Sequence, residues 1–344
     1  MPDHRLILAR VDQSGNGPLK SRRMVTQGTH RGGRRVGVYE KRRILVVVKT
    51  YPNPSQTYGE TVCCAGVDLD THRWVRMYPI TFRRLVDRQF KKYQAIECLA
   101  TTPRGDNRPE SLRVDQDSIT FVGDPMPADA AGWRRRMAIL PHADMSLEEI
   151  RAAQTADGTS LGMFRPATIE ALVIEKAKPW TARQQAYLRQ QRLGLGQDLT
   201  LEMKELEQIP LNFSYRFRCD DERCTTSHEL QIQDWEIGES YRKWSRNNPT
   251  GWEQMIRLKY EVELPARDLH LVVGNLAKHH QAFVIIGLVR PPRPKMDSGN
   301  IQQTFDLMGE KRPVARLGIG LETEEANALR CDERDESLEL FPDE

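Results

Sequence analysis

Apolar positions along this chain come in short blocks whose period changes partway. Residues 44–48 read Ile-Leu-Val-Val-Val and run into the cluster Tyr51-Pro52-Asn53-Pro54-Ser55. A β-branched run closed by turn-forming residues predicts a buried strand followed by a loop. Strand candidates follow at 61–67, 74–78, 94–101 and 118–122, with a short helix near 82–86. Several short strands so close together predict a small β-barrel or rolled sheet of the OB or PUA-like kind over residues 44–125.

Beyond this module the pattern turns helical. Ser146-Leu147-Glu148-Glu149 and Thr181-Ala182-Arg183-Gln184 each place a hydroxyl three residues before Glu or Gln. Both fit capping boxes that open helices. With a strand at 168–176 and a helix at 200–207 ending before Pro210, residues 126–205 read as a mainly helical connector. From Leu211 the period returns to two: Phe213, Tyr215 and Phe217 alternate with Ser214, Arg216 and Arg218, one face apolar and the other basic. A helix at 252–260 and strands at 269–273 and 282–289 complete a second module, residues 206–292, before Pro291-Pro292-Arg293-Pro294. The fold class this predicts is α+β, and no internal repeat of fixed period is visible.

Charge changes the picture at the two ends. Residues 1–43 carry 11 Lys/Arg against 3 Asp/Glu, a net of +8, and residues 322–344 carry 2 Arg against 10 Asp/Glu, a net of −8. The first reads as a basic flexible arm able to neutralise phosphates without folding first, or as a solvated tail ahead of an alternative start at Met24. Residues 293–344 read as an acidic tail that folds back on the arm or stands alone. No apolar run approaches the roughly 20 residues that span a bilayer. Six cysteines without a secretory leader read as reduced thiols or metal ligands, so the expected compartment is the cytoplasm.

Candidate chemistry concentrates after the strand that opens the second module. Cys219, Cys224 and His228 lie within ten residues, and a tight loop bearing two thiols and an imidazole suits zinc, given a fourth ligand. His279, His280, Asp220, Asp221 or a thiol of the first module are the candidates for that position, and an ordinary turn without metal is the alternative. Just downstream, Glu229, Asp234 and Glu236 are spaced to hold Mg²⁺ for phosphoryl chemistry, which points to a metal-dependent hydrolase or nuclease. Asp234 equally suits the N-cap of a helix starting near Trp235, whose face Ile237, Tyr241 and Trp244 would form.

In the first module, alternation puts Trp74, Arg76 and Tyr78 on one strand face and Val75 and Met77 on the other. Aromatic and Arg side chains on an open β face make a stacking platform for nucleic acid, which Lys91 and Lys92 would extend and the Arg216/Arg218 face would supplement. The alternative puts Trp74 and Tyr78 in the core. Cys63-Cys64 reads as small core residues. Near the end of the chain, Ser337-Leu338-Glu339-Leu340-Phe341 resembles the short peptides by which bacterial replication and repair proteins bind the sliding clamp, a Gln-Leu-Ser/Asp-Leu-Phe pattern. Leu338, Leu340 and Phe341 match, whereas Ser337 stands for Gln and Glu339 for Ser or Asp; the resemblance implies a clamp contact. Walker A, dinucleotide-fingerprint, nucleophile-elbow and zincin motifs are not found. The leading expectation is a nucleic-acid-binding accessory factor, with the metal-dependent hydrolase as its competitor.

Overall fold

A computed structural model describes residues 38–55, 59–81, 90–141, 145–186, 188 and 206–293. The first sheet contains β1 (Glu40–Lys49), β2 (Asn53–Ser55), β3 (Gly59–Asp68), β4 (Arg73–Thr81), β5 (Ala95–Thr101) and β6 (Ser111–Val122). Its strand order is β1-β5-β6-β4-β3-β2, and a further antiparallel pairing of β1 with β3 closes five of these strands into a barrel. One pair of barrel strands is parallel, β4 with β6.

Two helices follow, α1 (Ala130–Ile139) and α2 (Leu147–Asp157). The second sheet is built from β7 (Leu161–Phe164), β8 (Pro166–Lys176), β9 (Leu211–Cys219), β10 (His228–Ile232), β11 (His270–Leu276) and β12 (His279–Val289). Between β10 and β11 lie α3 (Trp235–Asn247), α4 (Trp252–Arg257) and a π-helical turn at Leu258–Glu263. The order of this sheet is β7-β11-β12-β10-β9-β8. Its two edges are successive segments of one stretch, interrupted only at Arg165.

The two sheets share one connectivity. Setting aside β2 and counting β7 with β8 as a single interrupted strand, each runs one–two–three–five–four and back to one, with strands three and five parallel. The second sheet thus curls as the first does but is broken at Arg165. The chain therefore carries the same topology twice, with no sequence repeat to announce it.

Three apolar clusters hold the assembly. Ile44, Val46, Val62, Val75, Met77 and Ile96 fill the first barrel. Phe164, Phe213, Tyr215, Phe217, Ile237 and Tyr260 belong to the core of the second. Leu45, Val47, Ala65 and Val67 pack between the two sheets, against Leu161, Met163, Val272 and Ile286. Residues 44–48 are buried on both strand faces, which is why they read as an unbroken apolar run rather than an alternation. Close approach at this seam needs a small residue: a Cβ on Gly287 would stand 2.7 Å from a Val48 methyl.

The expectation of a helical connector over 126–205 needs correction. α1 and α2 lie there, but β7 and β8 from the same stretch form both edges of the second sheet. β7 has only four residues, all buried, so it leaves no alternating signal in the sequence. The helices expected at 82–86 and 200–207 fall wholly or mainly outside the described residues. No helix among the described residues is long and apolar enough to cross a membrane.

Candidate metal centre

The side chains of Glu148, Cys219, Cys224 and His228 converge, their ligand atoms all within 4.8 Å of one another. Cys219 is the last residue of β9 and His228 the first of β10, so the hairpin brings both to one end of the sheet. Cys219 continues the inward alternation of Phe213, Tyr215 and Phe217, and it is buried with them. Cys224 lies in the intervening loop, its Sγ 3.1 Å from His228 Nε2. The His228 ring packs on Phe217, with centroids 5.4 Å apart.

Glu148 arrives from another element. Ser146 caps α2 through the expected box: its hydroxyl accepts the Glu149 N–H and the Glu149 side chain accepts the Ser146 N–H. This start places Glu148 in the first turn, with Oε1 2.9 Å from His228 Nε2. The loop is tied to the same helix end, since the Ser146 hydroxyl also donates to Asp221. Hydrogen bonds from Arg223 and Ser146 hold Asp221 well below the usual carboxylate range, with both its oxygens engaged.

This donor set suits a tetrahedral divalent ion. Metal–sulfur and metal–nitrogen bonds of about 2.3 and 2.0 Å imply ligand–ligand edges of roughly 3.3 to 3.8 Å, so shifts of about an ångström or less close these four atoms round one zinc. Burial pushes the Cys219 thiol up to about 12. A cation between the two sulfurs would offset that cost by favouring thiolate. The expected fourth ligands are His279, His280, Asp220, Asp221 or a first-module thiol, and none of them belongs to the cluster. The structure brings Glu148 there instead, and His280 Nε2 lies 2.9 Å from the Ala277 carbonyl oxygen. Sequence pointed to Glu148 only indirectly, through the capping box that fixes where α2 begins.

The carboxylates proposed for Mg²⁺ are placed otherwise. Asp234 is fully buried, and its side chain N-caps α3 by accepting the Glu236 N–H at 2.8 Å. It also accepts the Leu288 N–H at 2.9 Å and pairs with Lys92 at 2.9 Å. Glu236 is held by Lys92 and Arg290, each at 2.9 Å. Glu229 sits on the exposed face, 3.0 Å from Arg216. Cations and N–H donors thus occupy the oxygens a metal would need, and Glu229 stands apart from them. The hydrolase site expected from Asp234, Glu236 and Glu229 is corrected to a helix cap and a buried ion network. Burial opposes the charge on Lys92, but Asp234 and Glu236 outweigh it and hold the ammonium above its ordinary range.

The expected nucleic-acid platform is also displaced. Val75 and Met77 do point into the barrel, but the opposite face, carrying Trp74 and Arg76, is covered by the second sheet. Arg76 is 4% exposed and donates to the Ser160 carbonyl at 2.9 Å, a bond between modules. Tyr78 is half-buried near Thr61. Lys92 belongs to the network above, and Lys91 is exposed. Arg216 and Arg218 are exposed as expected, yet each is paired, with Glu229 and Glu170 at 3.0 Å. Residues Leu338, Leu340 and Phe341 lie outside the described residues.

A family model described as a domain of unknown function (DUF8758) matches residues 40–142, and a second with that description (DUF8757) matches residues 142–308. No curated protein matches the chain. Among solved structures, a chain from "Structure and Conformational Change of a Replication Protein A Heterotrimer Bound to ssDNA" aligns at 9% identity with a TM-score of 0.30. The alignment covers 79% of this chain and 53% of that one, so the chain spans about half the length of that protein; a likeness this slight carries no argument.

Proposed function

We propose that the chain is a nucleic-acid-binding protein built from two OB-like modules, the second braced by structural zinc. Residues 40–43 of the expected arm belong to β1, where Lys41, Arg42 and Arg43 pair with Glu97, Asp68 and Asp70. The observation that carries the binding reading is therefore the segment 1–39, with 8 Lys/Arg against 2 Asp/Glu, a net of +6, running into the first strand of a closed five-stranded barrel. A rigid barrel gives the arm an anchor, and the arm supplies phosphate contacts. Five strands with one parallel pair match the small Greek-key barrel that serves oligonucleotides in many settings. We divide the modules near residue 142. The meeting point of the two family models and the membership of β7 and β8 in the second sheet support that division.

Zinc is favoured over harder cations because two thiols and an imidazole are soft or borderline donors. Four protein ligands with no open position describe a structural site rather than a catalytic one. Cys219 and Cys224 are free thiols. A reducing compartment such as the cytoplasm would keep them so.

The binding reading is tested by titrating labelled single-stranded and duplex oligonucleotides at several salt concentrations. Steep weakening with salt, and its loss on removing residues 1–37, are expected. Absence of binding at low salt would overturn it. Elemental analysis tests the metal: one zinc per chain, lost in Cys219→Ser, is expected, and a metal-free protein would contradict the site.

A further inference from the structure

A cleft of about 540 Å³ lies where the loop after β1 meets the second sheet. That volume is in the range of sites that enclose a small ligand or one unit of a polymer. Tyr51 forms the wall on the first-barrel side. Its N–H donates to the Gln233 carbonyl at 2.9 Å and its hydroxyl to the Glu207 carbonyl at 2.8 Å. Its ring packs on Trp235 at 5.5 Å and on Gly238, where a Cβ would stand 2.6 Å from the ring. The wall is therefore set before any ligand arrives, which lowers the cost of binding.

The facing side is made of groups of a different kind. Asn212 and Gln231 come from β9 and β10, and Lys176, Lys178 and Trp180 from the end of β8 and the chain leaving it. Gln231 Nε2 donates to Asn212 Oδ1 at 3.0 Å. That bond uses one donor and one acceptor of the two amides. The Asn212 amide N–H groups and the Gln231 amide oxygen take no part in that bond, and both side chains line the cleft. A paired donor and acceptor is what the edge of an unpaired base presents in return. Trp180 is half-buried, so part of its surface is open to stacking, and Lys176 and Lys178 are exposed cations able to meet phosphate.

We propose that this cleft holds an unpaired base of a single-stranded nucleic acid, read by Asn212 and Gln231, stacked on Trp180 and flanked by Lys176 and Lys178. The inference rests on the nucleic-acid reading above and locates its base contact away from the covered Trp74 face. It is tested with the full chain and short labelled single-stranded DNA and RNA of mixed sequence, followed by anisotropy. Trp180→Ala and the double change Asn212→Ala with Gln231→Ala are each expected to weaken binding about tenfold, the scale of one lost base contact. Neither should alter the salt slope, because neither touches phosphate. Lys176→Glu with Lys178→Glu, a change confined to exposed positions, should weaken binding and flatten the slope. A loss on either backbone supports the inference, and the ratio between probes names the natural one. Wild-type protein that binds while all these variants bind equally well would overturn the cleft and leave the arm reading standing. Wild-type protein that does not bind at low salt would overturn both.

Discussion

The two sheets of this chain have the same connectivity and solve closure differently. In the first, β1 pairs with β3 on one side and β5 on the other, so backbone hydrogen bonds complete the barrel. Its second and third strands are joined by a tight turn in which Asp68 accepts the N–H groups of Asp70 and Thr71. In the second, the closing strand is broken at Arg165, and the corresponding hairpin carries the long loop with Cys219, Cys224 and His228. There the helix α2 supplies Glu148 to the same cluster. One topology thus tolerates a broken strand and an open hairpin where side chains of the loop bond to a neighbouring helix, His228 to Glu148 and Asp221 to Ser146.

The largest expected effect lies at Cys219 and Cys224. Cys219→Ser or Cys224→Ser, or a strong chelator acting on wild-type protein, is expected to remove several kcal/mol of stability. Urea unfolding should show this as a first transition belonging to the second sheet, with the first barrel unfolding later. A single transition at an unchanged midpoint would show that the brace contributes nothing.

Next in size is the junction. Asp234→Ala leaves Lys92 buried without one of its two partners and orphans the Leu288 N–H, and about 3–5 kcal/mol is expected to be lost. Adding Lys92→Met should recover part of that loss in a double-mutant cycle. If the single and double variants are equally unstable, the Lys92–Asp234 pair does not stabilise the junction.

A smaller effect of opposite sign belongs to the first barrel. Burial lowers the Lys49 ammonium from 10.5 to about 8, with Nζ over the Phe90 ring. Because the folded value lies below the unfolded one, the unfolded chain binds more protons between pH 8 and 10.5, and this group makes stability rise with pH across that window. Lys49→Met should therefore stabilise the protein at pH 7, by on the order of 3 kcal/mol, with the gain disappearing above pH 10.5. Destabilisation at pH 7 would contradict this. The smallest expected change is Ser146→Ala, which removes the cap of α2 and its bond to Asp221 at a cost of about 1 kcal/mol, read from thermal melting.

Local chemistry made much of this readable in the sequence. The unbroken run at 44–48 marks a strand buried on both faces, the Ser146 and Thr181 boxes both form, and Asp234 caps α3. Alternation also sorted Val75 and Met77 from Trp74 and Arg76 correctly. What it could not show is the sheet lying over the second face, because β7, β11 and β12 are distant in the chain. Glu148 was hidden for the same reason: it is separated from Cys219 by most of the second module's first strands, and only packing brings them together. The repeated topology left no repeated sequence, since closed barrels constrain which positions are apolar rather than which residues fill them.

The contrast between the two closures is tested most directly by hydrogen exchange on wild-type protein before and after removal of metal. Protection is expected to fall in α2, β9 and β10 while β1, β3, β4 and β5 keep theirs. Unchanged protection throughout, or an equal loss in both sheets, would contradict a brace that serves the second sheet alone.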